Sequence, residues 1–175
     1  EVKLGIKRMS EKEVLHFSII RGEIPQNTID AAYMISDNFG YVQISKFGRT
    51  THVELLNAIA QLSHKNCKGL IIDLRGNTGG YMEAAIRMVN EFLPEGRLIV
   101  YTQGRKYPRT DEYANGTGSC QKMPIVVLVD EGSASASEIF AGAIQDNDRG
   151  VIIGRRSFGK GLVQSPRELP YNGSL

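Results

Sequence analysis

Two stretches of this chain share one grammar. LIIDLRGNTGG, residues 70–80, is an apolar run, a turn of small and polar residues, and then the amphipathic segment YMEAAIRMVNEFLP. IVVLVDEGSAS, residues 125–135, repeats the order and leads into ASEIFAGAIQDN. Near-continuous apolar runs of this length predict strands buried on both faces, and the segments after them have helical spacing. Ala85, Met88, Val89 and Phe92 share one helical face, with Pro94 as the stop, and Ala136, Ile139, Phe140, Ala143 and Ile144 share another. Strands alternating with helices predict an α/β domain with a largely parallel sheet. In such sheets ligands gather beyond the carboxyl ends of the strands, where helix N-termini present unpaired N–H groups. Two such turns side by side suit a developing oxyanion.

The rest of the chain fits around these units. Residues 2–8 and 13–20 read as strands joined by a polar turn, and Gly22 and Pro25 break the pattern after them. That break is the expected boundary between residues 1–21 and a core of residues 22–175. AAYMI and YVQISKF read as strands, and THVELLNAIAQLSHKN as a helix carrying Leu55, Ile59 and Leu62 on one face. CKGLIIDL, RLIVYT, PIVVLV, VIIG and GLVQ complete the strands. Residues 103–122, polar and without period, read as loop.

Bulk properties narrow the function classes. The 175 residues suit one domain with a real core. No apolar run approaches the roughly 20 residues of a spanning helix. A net charge of +2, with no strong basic patch, gives no case for nucleic acid. Cys67 and Cys120 lack metal-site spacing and read as small unpaired apolar side chains, with a single disulfide between them left open, and no His or carboxylate cluster has ligand spacing, so neither metal nor cofactor is expected.

Ser135 stands where an apolar strand meets a helix, among small residues from Gly132 to Ala136 that leave room for a substrate. Ser135-Ala136-Ser137-Glu138 also fits the S-x-x-E capping box, so a helix cap is the plain alternative. An activated serine needs a base. His16, His52 and His64 accompany no motif. Lys160 lies between Gly159 and Gly161 in SFGKG, a setting for a tight turn. A lysine base must be neutral near pH 7 against a reference value of about 10.4, and burial among apolar groups supplies the roughly 4 kcal/mol required. Phe158, Leu162 and Val163 are the expected walls. Taken singly, Lys160 is read more plainly as a surface turn residue. Residues 154–160 match GxxxxGK, but Gly161 replaces the Ser or Thr that would reach a metal and no helical pattern follows, so a nucleotide is not expected. Asp146 lies near the end of a helix, where the dipole disfavours an acid. Asp73 and Arg75 suit an internal ion pair.

Taken together, DLRGNTGG, VVLVDEGSASASEIFAGAIQDNDRG and GRRSFGKGLVQ resemble the C-terminal processing peptidases, or tail-specific proteases, over most of residues 31–169. The 25 positions from Ser135 to Lys160 agree with that family's pattern. The resemblance implies a crotonase/Clp protease-like fold, with residues 1–21 as the last strands of a PDZ-like domain and with closing strands beyond Leu175. It implies Ser135 as nucleophile, Lys160 as base and Gln164 positioning the lysine. Asp146 matches a family acid, and the backbone N–H groups of Gly80 and Ala136 would form the oxyanion hole. The implied partner is a protein or peptide tail, in the bacterial cell envelope or periplasm, with assembly into homo-oligomers left open. Two alternatives remain: a crotonase-type enzyme acting on an acyl-CoA, and a non-catalytic peptide-binding remnant.

Overall fold

The computed structural model describes residues 1–22 and 26–164, and the backbone at 168–169 and 173–174. An antiparallel hairpin opens the chain, β1 (Val2–Ile6) paired with β2 (Leu15–Ile19). Its register sets Val2, Leu4 and Ile6 opposite Ile19, Phe17 and Leu15, so period-2 alternation gathers six apolar residues on one face.

The main sheet has five strands: β3 (Ile29–Met34), β4 (Phe39–Ile44), β5 (Gly69–Asp73), β8 (Ile125–Val129) and β9 (Val151–Gly154), in that spatial order. β3 runs antiparallel at one edge, and β4, β5, β8 and β9 are parallel. Helices α1 (Thr51–Ser63), α2 (Met82–Asn90) and α3 (Ala136–Asp146) connect the parallel strands and bury one face of the sheet. Val42, Ile44, Leu70, Ile72, Ile125 and Val127 pack there with Leu55, Met88, Phe92 and Phe140. Phe92 and Phe140 meet edge-to-face, with ring centroids 5.8 Å apart, an arrangement favoured by the ring quadrupoles.

Three expectations need correction. First, β5 and β8 are not buried on both faces among the described residues: Ile71, Val126 and Leu128 are only half-buried. The apolar runs overstate coverage because hydrophobicity reports no side of a sheet. Second, residues 103–122 are not all loop. β6 (Leu98–Gly104) turns back into β7 (Tyr107–Tyr113) as a long hairpin. β7 is polar and largely exposed, so it lacks the apolar alternation that marks a strand; pairing with β6 holds it, helped by Arg109 stacked 4.1 Å from the Tyr101 ring centre. Third, residues 161–164 join no strand ladder. A two-residue pair, β10 (Glu168–Leu169) with β11 (Gly173–Ser174), follows.

At the end of β5, Asp73 is buried against Tyr41 and Arg75. Tyr41 donates to Asp73 Oδ2 at 2.7 Å, and Arg75 donates to both carboxylate oxygens, forming the internal pair expected from DLRGN. Burial and the Asp73 carboxylate push the Tyr41 phenol up to about 12. Burial acts to raise Asp73, but the Arg75 and Tyr41 hydrogen bonds outweigh it and hold the acid low.

Candidate active site

The two echoing turns lie against each other at the carboxyl ends of β5 and β8. Asn77, fully buried, joins them. Its side chain donates to the Ile44 carbonyl at 2.7 Å and accepts the Gly79 N–H at 2.8 Å. Its own carbonyl accepts the Ala134 N–H at 3.0 Å and the Ser137 hydroxyl at 2.8 Å. Ser133, also buried, donates to the Leu74 carbonyl at 2.8 Å. Of the three serines in SASAS, Ser133 and Ser137 therefore hold the turns together, while Ser135 lines the cavities. That division explains the small residues around Ser135, which a helix cap alone did not.

Ser135 has φ +57° and ψ −112°, outside the ordinary regions for a residue with a Cβ. Such strain costs about 1–3 kcal/mol and persists only where surroundings enforce it. They do so here. A Cβ on Gly79 would lie 2.6 Å from the Ala134 carbonyl oxygen and 2.9 Å from Ala136 N, so only glycine lets the turns approach. Gly80, at φ +148°, bridges to Phe47: Phe47 donates to the Gly79 carbonyl at 3.0 Å and accepts from Tyr81 at 2.8 Å. Those two bonds leave the Gly80 N–H facing away from Phe47. Among the described residues neither Gly80 N–H nor Ala136 N–H has an acceptor.

Glu138 sets the other half of the site. The return half of the S-x-x-E box is formed, with Glu138 Oε2 accepting the Ser135 N–H at 2.8 Å. The same oxygen accepts the Lys160 N–H at 2.9 Å. Glu138 Oε1 accepts the Ser157 hydroxyl at 2.8 Å and the Gly159 N–H at 2.6 Å. Phe158 donates to the Ser133 carbonyl at 3.0 Å. Burial acts to raise the Glu138 carboxyl, but the Ser157 hydroxyl and the N–H groups of Ser135, Gly159 and Lys160 outweigh it and hold it below its ordinary value. Sequence reasoning took Glu138 as a helix cap only; nothing in the motif signals that its second oxygen reaches a loop some twenty residues on.

Ser135 and Lys160 face two cavities. One, of about 510 Å³, is lined by Lys46, Gly80, Tyr81, Ser135, Lys160 and Gln164 among others. The second, of about 410 Å³, lies between β6 and α3 and includes Asp146 at its wall. Lys160 Nζ donates to Gln164 Oε1 at 3.0 Å, and no hydrogen bond joins Ser135 Oγ to Lys160 Nζ. Leu162 and Val163 line the first cavity and Phe158 lines neither, but all three are exposed, so they do not form the enclosing apolar walls expected around Lys160. Asp146 is exposed, and its side chain makes no hydrogen bond or ion pair among the described residues. His52 pairs instead with buried Glu91 at 2.9 Å and lines neither cavity. Cys67 and Cys120 are free thiols in the core. No group of three metal-ligating side chains occurs among the described residues.

The sequence model of peptidase family S41 matches residues 38–175. The chain belongs to peptidase family S41. A carboxyl-terminal-processing protease of Synechocystis is 45% identical over 130 residues, which are 74% of this chain and 30% of that protein. The carboxy-terminal processing protease CtpA of Bacillus subtilis is 40% identical over 176 residues, 96% of this chain and 35% of its own. Among solved structures, a photosystem II D1 C-terminal processing protease superposes with a TM-score of 0.75 at 29% identity, covering 93% of this chain and 45% of that one. The chain thus spans about a third of the length of these curated S41 relatives. Its mixed α/β architecture is the one seen in S41 peptidase structures.

Proposed function

We propose that this chain is the catalytic core of a serine endopeptidase that cleaves proteins near their C-termini. The observation that carries the reading is the pairing of Ser135 and Lys160 in one cavity, with two acceptor-free N–H groups, Gly80 and Ala136, beside the serine. In this reading Ser135 Oγ attacks a peptide carbonyl while Lys160 Nζ takes its proton. The new oxyanion accepts from Gly80 and Ala136, donors already fixed by the Phe47 bridge and the first turn of α3. The amine leaves with the proton from Lys160, and water then hydrolyses the acyl-enzyme. Gln164 orients the lysine through the bond to its Nζ. Asp146 contributes from the wall of the second cavity.

The finer assignments belong to the same reading. The core is of crotonase/Clp protease type, comprising residues 22–175. Residues 1–21 are the end of a PDZ-like domain, a reading supported by the amphipathic β1–β2 hairpin. The substrate is a protein tail and not a nucleotide, and homo-oligomers are compatible with it. A place in the bacterial cell envelope belongs to the same reading; no helix among the described residues is long and apolar enough to cross a membrane.

The test is a peptide-cleavage assay on the full-length protein. Ser135→Ala and Lys160→Ala are each expected to abolish cleavage, and a serine-reactive probe to label Ser135. Wild-type turnover by either variant sinks the dyad. An acyl-CoA that binds at Ser135 in place of peptide favours the crotonase-type alternative.

A further inference from the structure

The cavity on the Gly80 side of Ser135 is electrostatically one-sided. Among its described lining residues the only charged groups are Lys46 and Lys160; there is no carboxylate. Lys160 Nζ is hydrogen-bonded to Gln164. Lys46 is exposed, and its ammonium has neither a hydrogen bond nor an ion pair among the described residues. Its backbone, by contrast, is well held. The Lys46 carbonyl accepts from Thr51 Oγ at 3.1 Å, and the next residue, Phe47, is bonded on both sides to the Gly79–Tyr81 turn. The second cavity has the opposite character. Its described lining residues include the carboxylates of Glu138 and Asp146 beside Lys160, and no further cation. Ser135 and Lys160 line both cavities.

We infer that Lys46 is a specificity-determining residue that holds a carboxylate of the substrate in the cavity on the Gly80 side. This rests on the peptidase reading of the same site. A lysine ammonium is a compact charge on a flexible stem, suited to a carboxylate whose position varies between substrates. Its attraction strengthens as the bound chain displaces water and lowers the local dielectric. The carboxylate comes either from the end of the chain or from an acidic side chain; both present the same group to Lys46.

Three peptides of otherwise identical sequence separate these sources: one ending in a free acid, one amidated with an internal Glu, one amidated with Gln in its place. kcat/KM is measured for the full-length wild type, Lys46→Met and Lys46→Glu. The wild type is expected to favour a carboxylate peptide over the neutral one by about fivefold at low salt, the size of a good exposed ion pair. Whichever peptide is favoured identifies the source. Lys46→Met is expected to bring the ratio to about one, and Lys46→Glu to invert it. The same ratios are read as Kd by fluorescence anisotropy on a Ser135→Ala background, without turnover. A wild-type ratio near one, or a ratio that survives Lys46→Met, overturns the inference. Failure of the peptidase reading looks different: either the wild type cleaves none of the three peptides, or Ser135→Ala cleaves all three as the wild type does.

Discussion

Ser135 and Lys160 donate their backbone N–H groups to the same oxygen, Glu138 Oε2, at 2.8 and 2.9 Å. The two residues lie on different elements, the head of α3 and a loop after β9, and this carboxylate is what fixes one against the other. A misplacement of about 1 Å in such a pair is enough to cost about a hundredfold in rate. Glu138→Gln keeps one good acceptor and loses the charge; Glu138→Ala loses both. Peptide cleavage is expected to fall about tenfold and at least a hundredfold respectively, mostly in kcat. Full turnover by Glu138→Ala would show that the loop is positioned by something else.

The same carboxylate predicts a pH dependence. Its pKa is lowered in the folded protein. A lowered acid contributes stability that is fully present above the unfolded value, about 4.3, and is lost as pH falls through the folded value. Urea midpoints measured from pH 7 to pH 3 are expected to show wild type more stable than Glu138→Gln at neutral pH, with the gap closing below about pH 4. A gap that stays constant to pH 3 would mean the charge contributes nothing.

Gly80→Ala should damage the reaction more than the fold. Its Cβ would overlap the Phe47 carbonyl at a φ that favours glycine, so the turn must shift and carry the N–H with it. Loss of one oxyanion donor costs about 10²–10³ in kcat. The check is kcat beside KM: a change confined to KM would argue against the Gly80 N–H as a donor.

Asn77→Ala removes a buried side chain that bonds two separate segments. Leaving the Ile44 carbonyl and the Gly79 N–H unpaired is expected to cost about 2–4 kcal/mol. Chemical denaturation reads this directly. A loss below about 0.5 kcal/mol would mean water replaces the side chain without strain.

These residues also mark how far the sequence could be read. The echo of LIIDLRGNTGG in IVVLVDEGSAS was enough for the parallel strands and their helices, because buried runs and 3.6-residue periodicity are local signals. Ser135 and Lys160 stood out by motif and spacing, and Gly80 and Ala136 by what the family resemblance implies; the fold sets Gly80, Ser135 and Lys160 around one cavity, with Ala136 next to the serine. β7 was not legible, since a strand held by its partner needs no apolar alternation. Nor were the Glu138 clamp and the Asn77 node. Both depend on which loops meet across the sheet, and capping or turn chemistry gives each residue a sufficient local reason to be there. Lys46 was invisible for the opposite reason: its interest lies in having no partner among the described residues, which only the folded surroundings reveal.

The bridge between Phe47 and Gly80 has a consequence for where mutations will be felt. The position of the Gly80 N–H is set less by its neighbours in sequence than by a strand end more than thirty residues earlier. That strand end is in turn tied down by Thr51, whose hydroxyl accepts from Gly48 N at 2.7 Å and lies 2.6 Å from Thr28 Oγ1 and 3.1 Å from the Lys46 carbonyl, either of which can take its single proton. A small hydroxyl at the start of α1, lining neither cavity, therefore acts as an adjusting screw for the Gly79–Tyr81 turn, and under the proposed function its loss would be expected to look like a poor enzyme well before it looked like an unfolded one.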